Sequence, residues 1–271
     1  QAVAANPTNK AEDRVRALDL LQLYGPFPSV QYLIKLVRDE QPAVRRKAAY
    51  LLGIHAEPTG GGALMLCLRD PDPTVRRQAC ESLVRGAFLP PPEPLLPLLA
   101  DTDRAVAFSA RLVLEQIPVE KWKRLVLEAR ENRVFVLGSL ALMRVSPDRD
   151  TAMAVLARGS RALKGQLSDP DFVDLLRTFQ VALERSGIKG DEVAALRTQL
   201  AEEYPAGEFR MNRELLRLLA YMNAESIIPR LVEYLRSDAP QVDKIHAAMY
   251  ARFITSGWTP EQKLVVLGFY E

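Results

Sequence analysis

Cysteine, histidine and tryptophan are scarce here, two of each in 271 residues. Two cysteines, Cys67 and Cys80, are too few for a disulfide framework and say little about redox compartment. They are expected to be small buried thiols. His55 and His246 stand far apart with no ligand spacing around them. A zinc site needs three or four convergent ligands, so the sequence offers no metal site and no cofactor. Both histidines are expected on a loop or a helix surface. An excess of one charge is also missing. The 36 basic and 34 acidic side chains leave a formal charge of +2, which argues against a dedicated nucleic-acid binder. No apolar run approaches the roughly 18 to 20 residues that a membrane span requires. The opening "QAVAANPTNKAEDRVR" lacks the basic start and apolar centre of a secretory signal, and it begins without Met. The chain is therefore expected to be processed or cut from something longer. Clean runs of alternating β-branched residues are absent too, which leaves helix as the dominant element.

What the sequence does have is an internal repeat. "DEQPAVRRKAAYLLG" (39–53), "DPDPTVRRQACESLV" (70–84) and "DTDRAVAFSARLVLE" (101–115) align at 31-residue steps. Asp39, Asp70 and Asp101 recur at that step, as do Val44, Val75 and Val106, then Ala48, Ala79 and Ala110, then Leu52, Leu83 and Leu114. A further copy follows at a shorter step of 28, with Val134, Gly138 and Leu142. "DRVRALDLLQLYG" (13–25) precedes them as a partial copy whose register is open by about a residue. Periods of this size mark stacked supersecondary units.

Each unit reads as two helices. An apolar helix precedes each Asp, at 30–38, 63–69 and 93–100. After it, Val, Ala and Leu at i, i+4 and i+8 lay one apolar stripe along a second helix. Asp72 suits the N-cap of that helix and Pro73 its first position, where the missing N–H costs nothing. Pro42 holds the same place one repeat earlier, behind Gln41. The small alanines let neighbouring helices approach closely, and Gly53 and Gly86 are expected to end their helices.

The pattern Asp-x-x-x-x-Val-Arg-x-x-Ala-x-x-x-Leu after a short apolar helix resembles the HEAT repeat, strongly over 39–115 and more loosely over 13–147. The resemblance implies an all-α fold, an α-solenoid of stacked antiparallel helix pairs forming a HEAT-like superhelix. It also implies a ladder in which the Asp of one unit meets the Arg of its neighbour. Asp39, Asp70, Asp101, Arg45 and Arg76 fit that ladder, and Ala107 interrupts it in the third copy.

Beyond 147 the period fades while helical spacing persists, at 150–163, 169–187 and 191–204, then 212–237 and two shorter segments, with Pro205, Gly207 and Pro240 as breakers. The expected organisation is HEAT-like repeats over 1–147, an irregular helical section over 148–206, and helical pairs of the same array over 207–271. "RMNRELLRLLAYMNAESIIPRLVEYL" with "IHAAMYARFITSGWTPEQ" resembles the HEAT segment of large bacterial multidomain proteins. In those a dehydrogenase-like propeller precedes the array and a c-type haem domain follows it. That resemblance implies an interior segment of an exported, periplasmic protein; a cytoplasmic setting is the alternative. The haem motif Cys-x-x-Cys-His is absent from these residues.

Other segments have simple readings. "TGGGAL" (59–64) lacks the Lys-Ser/Thr ending of a phosphate loop and any preceding strand, and reads as a flexible inter-repeat turn. The prolines of "LPPPEPLLPLL" (89–99) stiffen the entry to the next helix. In "SDPDFVD" (168–174), Ser168 or Asp169 serves as a helix cap and Asp171 sits near the helix dipole.

Arg46 and Arg77 follow the ladder arginines and point about 100° further round their helices. At equivalent repeat positions they form a short basic row able to grip acidic partners or phosphates, against the simpler reading of a solvated helix face. No catalytic constellation stands out, so the chain is expected to be no enzyme but a non-catalytic interaction or spacer scaffold. Its partner is then another protein or an adjacent domain of a longer chain. One alternative is nucleic-acid or phospholigand binding by a basic HEAT-like face. The other is a HEAT-type enzyme resembling DNA glycosylases or bilin lyases. The glycosylase form needs a basic, aromatic groove with a catalytic carboxylate, and the charge balance and only two tryptophans, Trp122 and Trp258, speak against it.

Overall fold

The computed structural model describes residues 1–270. Seventeen α-helices follow one another, with four short 3-10 turns between them and no strand among the described residues. They are α1 (Ala2–Ala5), α2 (Ala11–Tyr24), α3 (Val30–Leu36), α4 (Pro42–His55), α5 (Pro58–Cys67), α6 (Pro73–Arg85), α7 (Leu96–Leu99), α8 (Arg104–Leu114) and α9 (Lys123–Leu127). Then come α10 (Asn132–Val145), α11 (Arg149–Leu163), α12 (Asp169–Ser186), α13 (Ala194–Glu202), α14 (Phe209–Tyr221), α15 (Ile228–Arg236), α16 (Gln241–Ala251) and α17 (Pro260–Leu267). The chain divides into two compact units, Gln1–Ala141 and Leu142–Glu271. Each is a stack of antiparallel helix pairs, the HEAT-like α-solenoid class.

In the first unit the second helices of successive pairs lie side by side, α4 on α6 and α6 on α8, while α3, α5 and α7 back them. The aligned apolar positions explain this. Val44, Ala48 and Leu52, their equivalents Val75, Ala79 and Leu83, and then Val106, Ala110 and Leu114 are all no more than 1% exposed. Full burial of a leucine or valine stabilises by about 1.5–3 kcal/mol, so each stripe is a substantial source of adhesion between pairs.

The "DPDP" corner assigns its aspartates different tasks. Asp72 caps α6, its Oδ1 accepting the Thr74 N–H at 2.8 Å and the Val75 N–H at 3.4 Å, with Pro73 in the first turn. Asp103 caps α8 in the same way. Gln41 occupies the matching place before α4 without a side-chain bond.

Two expectations about glycine are corrected. Gly53 does not end α4, which runs on to His55 and closes on Ala56 in the left-handed region. An added Cβ at Gly53 would lie 2.6–2.7 Å from Ser82 Cβ and Cα, so glycine is there because α4 and α6 cross too closely for any side chain. Gly86 does follow the last residue of α6. "TGGGAL" is not a turn either: Pro58 opens α5, and Gly60, Gly61 and Gly62 lie within it. Gly60 faces Leu52 and Gly61 faces Phe88 closely enough that larger residues would crowd them. Packing overrides helix propensity here.

In the second unit α12 packs on α14 and α14 on α16, with α13 and α15 as their companions and α17 on α15. Leu175, Leu176, Phe179, Leu215, Leu219 and Leu231 form its centre. Ser168 caps α12, its Oγ accepting the Asp171 N–H, and Thr259 with Gln262 forms a capping box on α17.

Candidate interaction surface

The first unit is held in register by three arginine–aspartate pairs, each spanning 25 residues. Arg45 meets Asp70 through Nε and Nη2, both at 2.7 Å. Arg76 meets Asp101 the same way, at 2.8 and 3.0 Å. Arg14 meets Asp39 as a third rung. The remaining nitrogen is used as well. Arg45 Nη1 donates to the carbonyls of Asp39 and Glu40, and Arg76 Nη1 to those of Asp70 and Pro71. Each aspartate also accepts the N–H two residues on, from Gln41, Asp72 and Asp103. One guanidinium therefore binds its own inter-helix corner and the next corner along.

The charges respond. Hydrogen bonding to Asp70 raises the Arg45 pKa, and hydrogen bonding to Asp101 raises that of Arg76, in each case against a burial effect that lowers it. Burial alone would raise the Asp39 pKa. Hydrogen bonds from Arg14 and the Gln41 N–H, with the charges of Arg14 and Arg45, outweigh it and hold the carboxyl below its ordinary value. Arg14 was the rung hidden in the sequence. The tempting dipeptide there is Val15-Arg16, yet 31 residues before Arg45 stands Arg14, a register only the step length reveals.

The ladder fixes which side chains the second helices turn outward. Arg46 and Arg77 are both exposed and line one cleft of about 240 Å³ with Pro73, Thr74, Glu81 and Asp103. The row is thus not purely basic, since Arg77 Nε is bound to Glu81 at 2.7 Å. Its third position, another 31 residues on, is Phe108, 54% exposed beneath the Arg111 guanidinium. Tyr50, one turn on from Arg46, has Lys47 Nζ 4.6 Å and the Arg85 guanidinium 5.0 Å from its ring centre. Lys47 is paired with Asp19 and Arg111 with Glu115. Among the described residues Arg46 and Arg85 have no carboxylate partner, Arg85 lying over the Tyr50 ring and Arg46 one turn before Tyr50 on α4. Tyr50 and Arg85 escape sequence reasoning because their encounter depends on how two helices cross.

The remaining candidates are structural. Cys67 and Cys80 are free and buried, and burial pushes both thiols up to about 12, which makes them inert. His55 hydrogen-bonds Gln22 at 2.9 Å and meets the Phe27 ring edge-on. His246 is not a surface residue of the simple kind expected: it is partly buried against Tyr250, ring centres 4.6 Å apart, and its Nε2 is enclosed. No three His, Cys, Asp or Glu side chains converge as a metal site among the described residues, and none of the described helices is long and apolar enough to cross a membrane.

The second unit has polar ties of its own. Arg213 binds Asp243 through Nε and Nη2 at 2.9 and 2.6 Å. Buried Glu214 accepts from Arg177 at 3.1 Å, Gln180 at 2.9 Å and Arg217 at 3.1 Å. Burial pushes the Glu214 carboxyl up, but these partners outweigh it and keep it below the usual range.

Comparison with known proteins agrees with this geometry. Residues 4–84 match the family model of HEAT repeats, and no curated protein matches the chain. Among solved structures, Kap121p bound to Nup53p is 12% identical over 96% of this chain and 38% of its own, with a TM-score of 0.50. Human deoxyhypusine hydroxylase in complex with glycerol is 17% identical over 93% of each chain, with a TM-score of 0.37. The CpcE–CpcF complex of phycocyanin lyase from Nostoc sp. PCC7120 gives 14%, 91% of this chain, 95% of that one, and 0.37. At 12% identity the Kap121p likeness speaks for the fold alone.

Proposed function

We propose that this chain is a non-catalytic protein-interaction scaffold whose α4–α6 face takes an acidic segment of a partner protein. The observation that carries the reading is a pair of cations without carboxylate partners on this face, Arg85 over the Tyr50 ring at 5.0 Å and Arg46 one helical turn before Tyr50 on α4, on a surface whose register the ladder fixes. A guanidinium donates two parallel hydrogen bonds to a carboxylate, and the half-buried Tyr50 ring beside Arg85 supplies apolar contact. HEAT repeats over residues 4–84 support an interaction role. The two histidines lie in different compact units, and both cysteines are buried, which supports a role without chemistry.

Fluorescence anisotropy with a labelled Asp/Glu-rich peptide and a DNA duplex of equal length tests this. Salt-sensitive peptide binding that disappears in Arg46→Ala/Arg85→Ala is the expected result. Preference for the duplex would transfer the face to nucleic acid, and binding of neither would remove the reading.

The resemblance of 210–235 and 245–262 to the helical segment of bacterial propeller–haem proteins supports a setting inside a longer exported chain. The flanking reading frames test it: a signal peptide upstream and Cys-x-x-Cys-His downstream are expected.

A further inference from the structure

The outer side of the α16–α17 pair is chemically unlike a surface. α17 buries none of its residues, although "LVVL" fills its second half. Leu264 is 68% exposed and Leu267 55%. On α16, Val242, Ile245 and Met249 are also exposed, spaced as one helical stripe, and Phe253 is exposed just past its end. The inner pair α14–α15 contacts helix partners on both sides, α12 and α13 on one and α16 and α17 on the other. The outer side of α16–α17 carries the same kind of side chains, left uncovered by the described residues.

Arg252, three residues on from Met249, borders a groove of about 480 Å³ between these last helices. Its walls are Ala251, Ile254, Trp258, Val266, Leu267 and Tyr270, with Lys263 also on the lining. The aromatic walls are fixed in place. Trp258 Nε1 donates to the Ile254 carbonyl at 2.7 Å and Tyr270 Oη to the Ala248 carbonyl at 3.1 Å. Their polar tips are thereby satisfied and their apolar surfaces left for contact. Arg252 stacks on Phe253, and neither Arg252 nor Lys263 has a carboxylate partner among the described residues.

We propose that this groove seats an amphipathic α-helix of a partner protein, with apolar anchors at i, i+3 or i+4, and i+7 and carboxylates at its flanks. Continuity of the stack argues for a helix, because every other layer of this unit covers its neighbour with one. Charge complementarity argues for acidic flanks, since two unmatched cations border an otherwise apolar trough. This surface is independent of the α4–α6 face.

Two synthetic helical peptides of about 18 residues, long enough to hold helix in part, make the test. They share leucine anchors and differ only in Glu or Lys flanks. The Glu-flanked peptide is expected to bind roughly tenfold more tightly, as two rim ion pairs allow. Arg252→Glu/Lys263→Glu should reverse the preference. Leu264→Glu/Leu267→Glu should abolish binding of both while circular dichroism stays unchanged, because neither residue is buried. Equal affinity for the two peptides, or no binding of either, overturns the proposal. Self-association of the unmodified chain that Leu264→Glu/Leu267→Glu abolishes also overturns it, assigning the groove to a second copy.

Discussion

Arg45 and Asp70 lie 25 residues apart in sequence and face each other as a bidentate pair, both contacts at 2.7 Å, with side chains only 11% and 7% exposed. The same arginine also closes the corner at Asp39 and Glu40. Its contribution is therefore that of a tie between neighbouring repeats and within one.

Removing either partner leaves a largely buried charge unmatched. Arg45→Ala is expected to destabilise by about 3 kcal/mol, the scale for breaking a buried pair. Arg124→Ala, at the widely exposed Arg124–Glu128 pair, should cost no more than about 0.5 kcal/mol. Urea titrations of both variants followed by circular dichroism check this, and equal losses would contradict the ladder's role.

Gly53 and Gly62 should respond to alanine with opposite signs. At Gly53 the new methyl meets Ser82 at 2.6–2.7 Å, so overpacking of about 1–3 kcal/mol exceeds the helix-propensity gain. At Gly62 nothing lies within 4 Å, and Gly62→Ala should stabilise by about 0.5–1 kcal/mol. Thermal melts of the two variants on either side of the parent are the expected outcome.

Asp39 sets part of the acid limit of the first unit. Its folded-state pKa lies below the unfolded value, so its stabilisation is complete above about pH 4 to 5 and is lost as pH falls through the folded pKa. Asp39→Asn should lower stability at pH 7 and flatten its decline at low pH. An unchanged acid limb in the variant counts against the assignment.

His246 acts in a different window. Burial lowers its pKa most, and Arg217 and Arg213 lower it further against the opposing charges of Asp243 and Glu214. The unfolded chain thus takes up this proton more readily. The stabilisation is present above about pH 6.5 and is lost as pH falls below it. The melting temperature should start to decline near that pH, before any carboxylate titrates, and His246→Gln should delay the onset.

The repeat was legible because evenly spaced residues do the same thing in each copy. Val44, Val75 and Val106 are all fully buried, and an apolar stripe with a fixed step survives as a written pattern. Arg14 was obscured because Val15-Arg16 imitates the local motif while only the 31-residue step marks the true position. Gly53 and the glycines of α5 read as helix-end and turn residues because a glycine demanded by a close helix crossing is written identically to one demanded by a turn. In the second unit the spacing dissolves: Arg213 reaches 30 residues ahead to Asp243, and Arg177 reaches 37 to Glu214. Without a constant offset those ties have no signature in one sequence.

The rungs stop at Asp101, since Ala107 has no group to extend them. Up to that point adjacent repeats are joined by evenly stepped charged struts as well as by apolar contact; past it that regular series does not continue. A tether pulling on the first unit would meet uneven resistance, and the initial rupture should fall on the far side of Asp101, leaving the strutted part intact as a mechanical clamp.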